Sequence, residues 1–248
     1  MWVLKGGAGM LARLPSSARH TQDIDLCFQG ELSAAYQDLL VAADTDLGDF
    51  FSFGIESGKQ LGGATEGARF AVTAYIGAKQ FVQFGIDIVV ASNMTGQPES
   101  MPHLSPIPID GLSTADYRVY PLVDHIADKH AAMLDTYSDG QPSTRFRDLV
   151  DLVLIATTQR PPAADLRAAL LSEYARRGIV APAEVVLPSP AWHDGYAAVV
   201  EGTPDLSQRT AEAGLSVVKT MPDPILAGSV TGAWDPDALL WIETEAES

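Results

Sequence analysis

The run Asp23-Ile24-Asp25-Leu26-Cys27-Phe28 alternates acidic with apolar side chains before ending purely apolar. In a β-strand, residues i and i+2 point to the same face. Asp23 and Asp25 therefore share one face, while Ile24 and Leu26 point the other way into a core. Upstream, Lys5-Gly6-Gly7-Ala8-Gly9 forms a glycine-rich turn. Without side chains, its backbone N–H groups can approach a phosphate closely. Magnesium takes hard oxygen ligands, typically one or two carboxylates plus substrate phosphates. The acid pair suits that ion, although taken alone it equally describes a strand end with two solvated acids.

The rest of the chain supplies company for this strand. Trp2–Leu4 has the character of a short strand, residues 9–14 of a helical turn closed by Pro15, and residues 51–55 of another strand. Residues 31–43 place Leu32, Ala35, Tyr36, Leu39, Leu40 and Ala43 at helical spacing. Residues 68–76 and 80–90 are rich in Val, Ile, Phe and Tyr, and the short Gly77-Ala78-Lys79 link predicts a hairpin. Asp87 interrupts the second of these strands, with Gly85 leaving room beside it on the same face. A charge in so apolar a strand calls for a partner, a metal or a solvated face. Both a third metal carboxylate and an acid on an open sheet face fit the pattern.

Residues 92–122 are rich in Pro, Gly and Ser, including Pro98, Pro102, Pro106, Pro108 and Pro121, and are read as a connecting segment. Beyond them the pattern turns helical, over 124–137, 144–157, 164–177 and 207–219. The expected architecture is α+β, with a mixed sheet and flanking helices over residues 1–110 and a helical bundle over 111–248. The helix from Thr144, with Ser143 or Thr144 as N-cap, is apolar nearly all round and should be buried. Its charged arc of Arg147, Asp148 and Asp151 then wants partners. Lys129 on the preceding helix can pair with Asp148 as an inter-helix salt bridge. The same lysine could instead neutralise charge on a triphosphate.

Composition narrows the field. The chain has 248 residues, a net charge of −16 and one cysteine, Cys27, so an internal disulfide is impossible. Its first 117 residues hold 6 basic against 13 acidic residues, and residues 178–248 hold 2 against 11. Proteins that grip nucleic acid over a wide surface carry a basic face. That mode is excluded here, while recognition of a small piece such as an RNA end is not. No apolar run approaches the ~20 residues that span a bilayer, and no secretory signal opens the chain, so a cytoplasmic protein without membrane association is expected. His103, His125, His130 and His193 lack metal-ligand spacing, and His20 fits a loop position.

Four motifs in order carry a resemblance: Lys5-Gly6-Gly7; Arg19-x-Thr21-x-Asp23-Ile24-Asp25-Leu26; Asp128-Lys129-x-x-Ala132; and Arg145-Phe146-Arg147-Asp148-Leu149-x-Asp151-Leu152. Together they resemble the AbiEii/AbiGii toxin family, including the MenT toxins, of the DNA polymerase β-like nucleotidyltransferase superfamily. The resemblance implies a toxin of a toxin–antitoxin pair that transfers a nucleotide from an NTP to an RNA acceptor, the 3′ end of a tRNA, with an antitoxin as partner. It implies Mg2+ held by Asp23 and Asp25, and catalytic roles for these two with Lys129 and Asp148. Asp87, from the strand pattern and not the resemblance, is added as a third metal carboxylate or as the group that helps deprotonate the attacking hydroxyl. It implies nucleotide contacts from Lys5, Gly6, Gly7, Arg19, Thr21, Lys129 and Arg147. The family usually has a helix before the Lys-Gly-Gly strand, whereas this sequence opens almost on the strand, and Arg147 stands where the family has Lys. Two alternatives keep the fold: a nucleotidyltransferase acting on a small molecule such as an aminoglycoside, and a non-catalytic nucleotide-binding member.

Overall fold

The computed structural model describes residues 1–61, 66–90, 94–103, 115–137, 139–203 and 205–243. The chain divides into two compact units. One comprises Met1–Pro15, His20–Asn93 and Pro98–Tyr120; the other comprises Ser16–Arg19, Met94–Gln97 and Pro121–Ser248. The boundary expected near residue 110, with Pro106 and Pro108, lies outside the described residues.

The first unit holds β1 (Trp2–Lys5), α1 (Gly6–Arg13), β2 (Asp23–Phe28), α2 (Leu32–Asp44), β3 (Phe51–Ile55), β4 (Lys59–Gln60), β5 (Gly67–Ile76), β6 (Lys79–Val90), β7 (Glu99–Met101) and β8 (Tyr117–Val119). The strands form one mixed sheet in the order β3-β5-β6-β2-β1-β8-β7, with β4 on β5. The pairs β2–β6 and β1–β8 are parallel and the rest antiparallel. The alternation of β2 is realised: Ile24 and Leu26 pack with Phe28, Phe70, Ile86 and Ile88 against Ala35, Tyr36 and Leu39 of α2. Each such apolar side chain contributes roughly 1.5–3 kcal/mol when fully buried. The hairpin β5–β6 turns at Gly77, whose φ of 57° suits a tight two-residue loop. One residue of register is lost between Ala74 and Tyr75, a β-bulge that re-phases the two strands.

Two sequence readings change here. Lys5-Gly6-Gly7 is not a free turn, because α1 starts at Gly6 directly after the strand. Residues 92–122 are also more than a connection, since they contribute β7 and β8 to the sheet. Local composition there is rich in Pro and Ser, and the strand β1 that pairs with β8 and the helix α1 whose Arg13 holds β7 are over 80 residues away. Arg13, 3% exposed, forks onto Glu99 of β7 at 2.7 and 2.8 Å and reaches the Tyr120 carbonyl at 3.0 Å, tying α1 to these late strands.

The second unit holds α3 (Leu122–Leu134), α4 (Phe146–Ala156), α5 (Ala163–Arg177), α6 (Trp192–Glu201), α7 (Ala211–Val218), α8 (Pro222–Leu226) and the hairpin β9 (Ala233–Asp235) and β10 (Leu240–Ile242). As its composition requires, α4 is the buried centre: Asp148–Ala156 are all buried, with α3, α6 and α7 packed around it. Gly195 of α6 lets the Phe146 ring lie against the helix backbone, where a Cβ would collide. Trp192 donates to the Ser143 carbonyl at 2.8 Å just before α4, and Trp234 to the Ala156 carbonyl at 2.7 Å, satisfying an acceptor at the C-terminal end of α4. The helix N-cap is Arg145 rather than Ser143 or Thr144; the Ser143 hydroxyl donates to the Ala132 carbonyl at 2.7 Å and accepts from the Arg145 N–H at 3.3 Å, one residue short of the helix. Neither α6 nor α8 is legible as a helix from periodicity, since Pro188, Pro190, Gly195, Pro222 and Pro224 punctuate them. Among the described residues no helix is long and apolar enough to cross a membrane.

The buried His130 of α3 shares a 2.7 Å hydrogen bond through Nδ1 with the Tyr174 hydroxyl of α5. Burial lowers its pKa to about 4. An unfolded histidine titrates near 6.5, so between these values the unfolded chain binds the extra proton and stability falls as the pH falls. Urea unfolding followed from pH 7 to pH 4.5 is expected to show a loss on the order of 3 kcal/mol that His130→Gln largely removes. An identical pH slope in both chains would show that His130 is not the group responsible.

Candidate functional site

Strand register assembles the first cluster. Across β2–β6, Asp25 stands opposite Asp87 and Asp23 opposite Gly85. Across β6–β5, Asp87 stands opposite Arg69. Register partners in adjacent strands share a face, so all three acids and Arg69 lie on the side away from α2. The Arg69 guanidinium forks onto both oxygens of Asp87, Nε to Oδ1 at 2.6 Å and Nη2 to Oδ2 at 2.9 Å. Nη2 also reaches Asp23 Oδ2 at 3.0 Å. Hydrogen bonding and charge from Asp87, then the charges of Asp23 and Asp25, raise the arginine pKa further. Side-chain exposure is 50% for Arg69, 46% for Asp23 and 19% for Asp87, so the row is open to solvent at the Asp23 end.

Glycines clear the space around these acids. Gly6, with φ of 57°, lies so close to Asp25 that a Cβ would overlap the carboxylate. A Cβ on Gly85 would stand 2.6 Å from Asp23 Oδ1. Thr21 donates to the Asp23 carbonyl at 3.1 Å, holding the entry to β2. A cleft of about 750 Å³ opens here, lined in part by Thr21, Gln22, Asp23, Arg69, Gln83 and Gly85. Gly7 is buried within α1, and the Lys5 ammonium lies 4.9 Å from the centre of the Tyr120 ring, a cation–π distance. His20 is exposed in the loop before β2.

Among the described residues, no three acidic, His or Cys side chains converge as placed on a point that could hold a metal ion. Asp23 and Asp87 instead converge on Arg69. The chemistry of the donors still suits magnesium: carboxylate oxygens only, on one sheet face, with glycine backbone beside two of them. Sequence reasoning missed Arg69, whose position opposite Asp87 depends on the bulge.

The second cluster belongs to the helical unit. Lys129 Nζ donates to Asp148 Oδ1 at 2.9 Å and Asp151 Oδ2 at 2.6 Å. Arg145 Nε reaches Asp148 Oδ2 at 2.7 Å, and Arg19 Nη2 reaches Asp151 Oδ2 at 3.0 Å. That last pair explains why residues 16–19 group with this unit. Thr95 and Gly96 do the same for residues 94–97, their backbone N–H groups donating to Asp124 at 2.9 Å. Burial alone would lower the Lys129 pKa, but Asp148 and Asp151 outweigh it and hold the ammonium above its ordinary value. Burial likewise works to raise Asp148, and Lys129 and Arg145 reverse this and lower it. Of the two sequence readings of Lys129, the inter-helix ion pair is present. Asp151 and Arg145 join it, and Arg147 is exposed on α4.

A sequence model of the family described as "Nucleotidyl transferase AbiEii toxin, Type IV TA system" matches residues 1–215. Among solved structures, the chain is similar to the nucleotidyltransferase toxin MenT4 of Mycobacterium tuberculosis. The TM-score is 0.52 at 15% identity, covering 88% of this chain and 85% of that one. It is also similar to JHP933 of Helicobacter pylori, with a TM-score of 0.43 at 13% identity, covering 92% and 84%. No curated protein matches the sequence. The MenT4 likeness agrees with a large mixed sheet flanked by helices and followed by a helical bundle.

Removing one partner from a buried ion cluster leaves uncompensated charge and typically costs 3–5 kcal/mol. Lys129→Met is expected to lower the urea unfolding free energy by about that amount. A loss under about 1 kcal/mol, the range of exposed pairs, would show that water already screens the cluster.

Proposed function

Because the chain belongs to the AbiEii family of nucleotidyltransferase toxins, we propose that it transfers a nucleotide from an NTP to an RNA acceptor with Mg2+, the acceptor being the 3′ end of a tRNA. Family membership implies an antitoxin partner and a nucleotide substrate. The observation that carries the chemistry is the row Asp25–Asp87 with Asp23 beside it on one sheet face, above glycine backbone. Asp23, Asp25 and Asp87 would hold the magnesium, which when bound neutralises triphosphate charge and acidifies oxygen ligands. Gly6, Gly7 and Thr21 would cradle the β and γ phosphates, with Gly6 leaving bare backbone beside the Asp25 carboxylate. Asp87 is the residue assigned to accept the proton of the attacking hydroxyl, which requires its oxygens to leave Arg69. Lys5, Arg19, Lys129, Arg147 and Asp148 are assigned to the nucleotide by resemblance. Of these, Lys129 and Arg19 already hold Asp151.

The net charge of −16 favours a second reading, in which the acceptor is a small cation such as an aminoglycoside. Incubation with α-labelled NTPs, bulk tRNA and an aminoglycoside distinguishes the two by which acceptor takes up label. Asp23→Ala and Asp25→Asn are each expected to lower label transfer at least about 10²-fold, the scale of one lost electrostatic contact at a reacting centre. Their circular dichroism should stay unchanged. Full transfer by either variant would remove the carboxylates from the mechanism.

A further inference from the structure

Arg69 is a strand residue, placed by β5–β6 pairing directly opposite Asp87. Its three hydrogen bonds occupy both Asp87 oxygens and one oxygen of Asp23. These are two of the three carboxylates assigned above to the metal. A guanidinium and a divalent cation satisfy the same charge and the same lone pairs, so they compete for this pair of acids. Half of the Arg69 side chain is exposed, so the fork can open without unpacking the sheet. Arg69 also lines the cleft with Thr21, Gln22 and Asp23, so a released guanidinium stays beside whatever enters it. The Arg13–Glu99 fork in the same unit gives a contrast: there the arginine is 3% exposed and fixed on a carbonyl as well.

We propose that Arg69 is an exchangeable counter-cation of this site: it holds Asp23 and Asp87 until a metal–triphosphate arrives, yields their oxygens to the metal, and takes a phosphate oxygen in return. The proposal rests on the metal-site reading above. It gives Arg69 opposite effects on two ligands, which a merely structural arginine would not produce.

The test is direct binding, without turnover, on wild type, Arg69→Met and Arg69→Lys, each checked for folding by circular dichroism. Free Mn2+ is titrated first by electron paramagnetic resonance, then inorganic triphosphate is titrated calorimetrically at saturating Mn2+. In Arg69→Met, Mn2+ alone should bind about tenfold tighter or more, and triphosphate several-fold weaker. Arg69→Lys, which keeps the charge but loses the fork, should fall between on both scales. Unchanged or weaker Mn2+ binding in Arg69→Met, or unchanged triphosphate binding, overturns the proposal while leaving the metal site standing. Absence of Mn2+ binding in wild type and variants alike overturns the metal-site reading and the proposal with it.

Discussion

The parallel pairing of β2 with β6 is the constraint on which the first unit depends. One register sets two outcomes at once: Ile24, Leu26, Ile86 and Ile88 meet beneath α2, while Asp25 and Asp87 meet on the other face. A slip by one residue would exchange the faces, burying acids and exposing the core. The apolar side of the sheet therefore enforces the geometry of the polar side, without added loops or caps. Gly6 and Gly85 complete the arrangement by supplying bare backbone where the carboxylates need room.

The helical unit solves a different problem. Its central helix is buried on every side and still carries two acids. Desolvating those charges is expensive, and three cations from three segments answer it: Lys129 from α3, Arg145 from the start of α4, and Arg19 from a segment more than 100 residues upstream. This explains why a four-residue stretch preceding β2 groups with the helices. The charge cluster, Trp192 on the Ser143 carbonyl before α4 and Trp234 on the Ala156 carbonyl at its end all tie the bundle to α4.

Much of this arrangement is legible in the amino-acid sequence. The alternation in β2, the strands and hairpin of β5–β6, α2 and the helices α3, α4, α5 and α7 follow local periodicity, which a window of residues contains. The acids of the candidate site are also legible, because i and i+2 spacing and an acid inside an apolar strand are local signals. Long-range pairing is not. β7 and β8 lie in Pro- and Ser-rich sequence and become strands only by joining β1 and each other. Arg69 is hidden more subtly. Counting back from the turn at Gly77 and Ala78 in a regular hairpin places Arg69 opposite Ile86, on the wrong face. The bulge at Ala74/Tyr75 shifts the count by one and brings it opposite Asp87. Arg145 and Asp151 stand in the helical motif, but nothing local says that Arg145, itself half exposed, reaches the buried Asp148 while Arg147 is left in solvent.

The indole of Trp234 on the Ala156 carbonyl has a consequence for the order in which the molecule is made. Every strand of the large sheet, and with it Asp23, Asp25, Asp87 and Arg69, has been synthesised by Tyr120. The capping residue of α4 emerges more than 100 residues later, and at about 5–20 residues per second that interval lasts several seconds or longer. Synthesis of the sheet strands and their acids is thus complete well before that of the helical unit. In a toxin that transfers nucleotides, the interval on the ribosome is a stage of its own, in which the residues of the carboxylate row have been made and the finished chain has not.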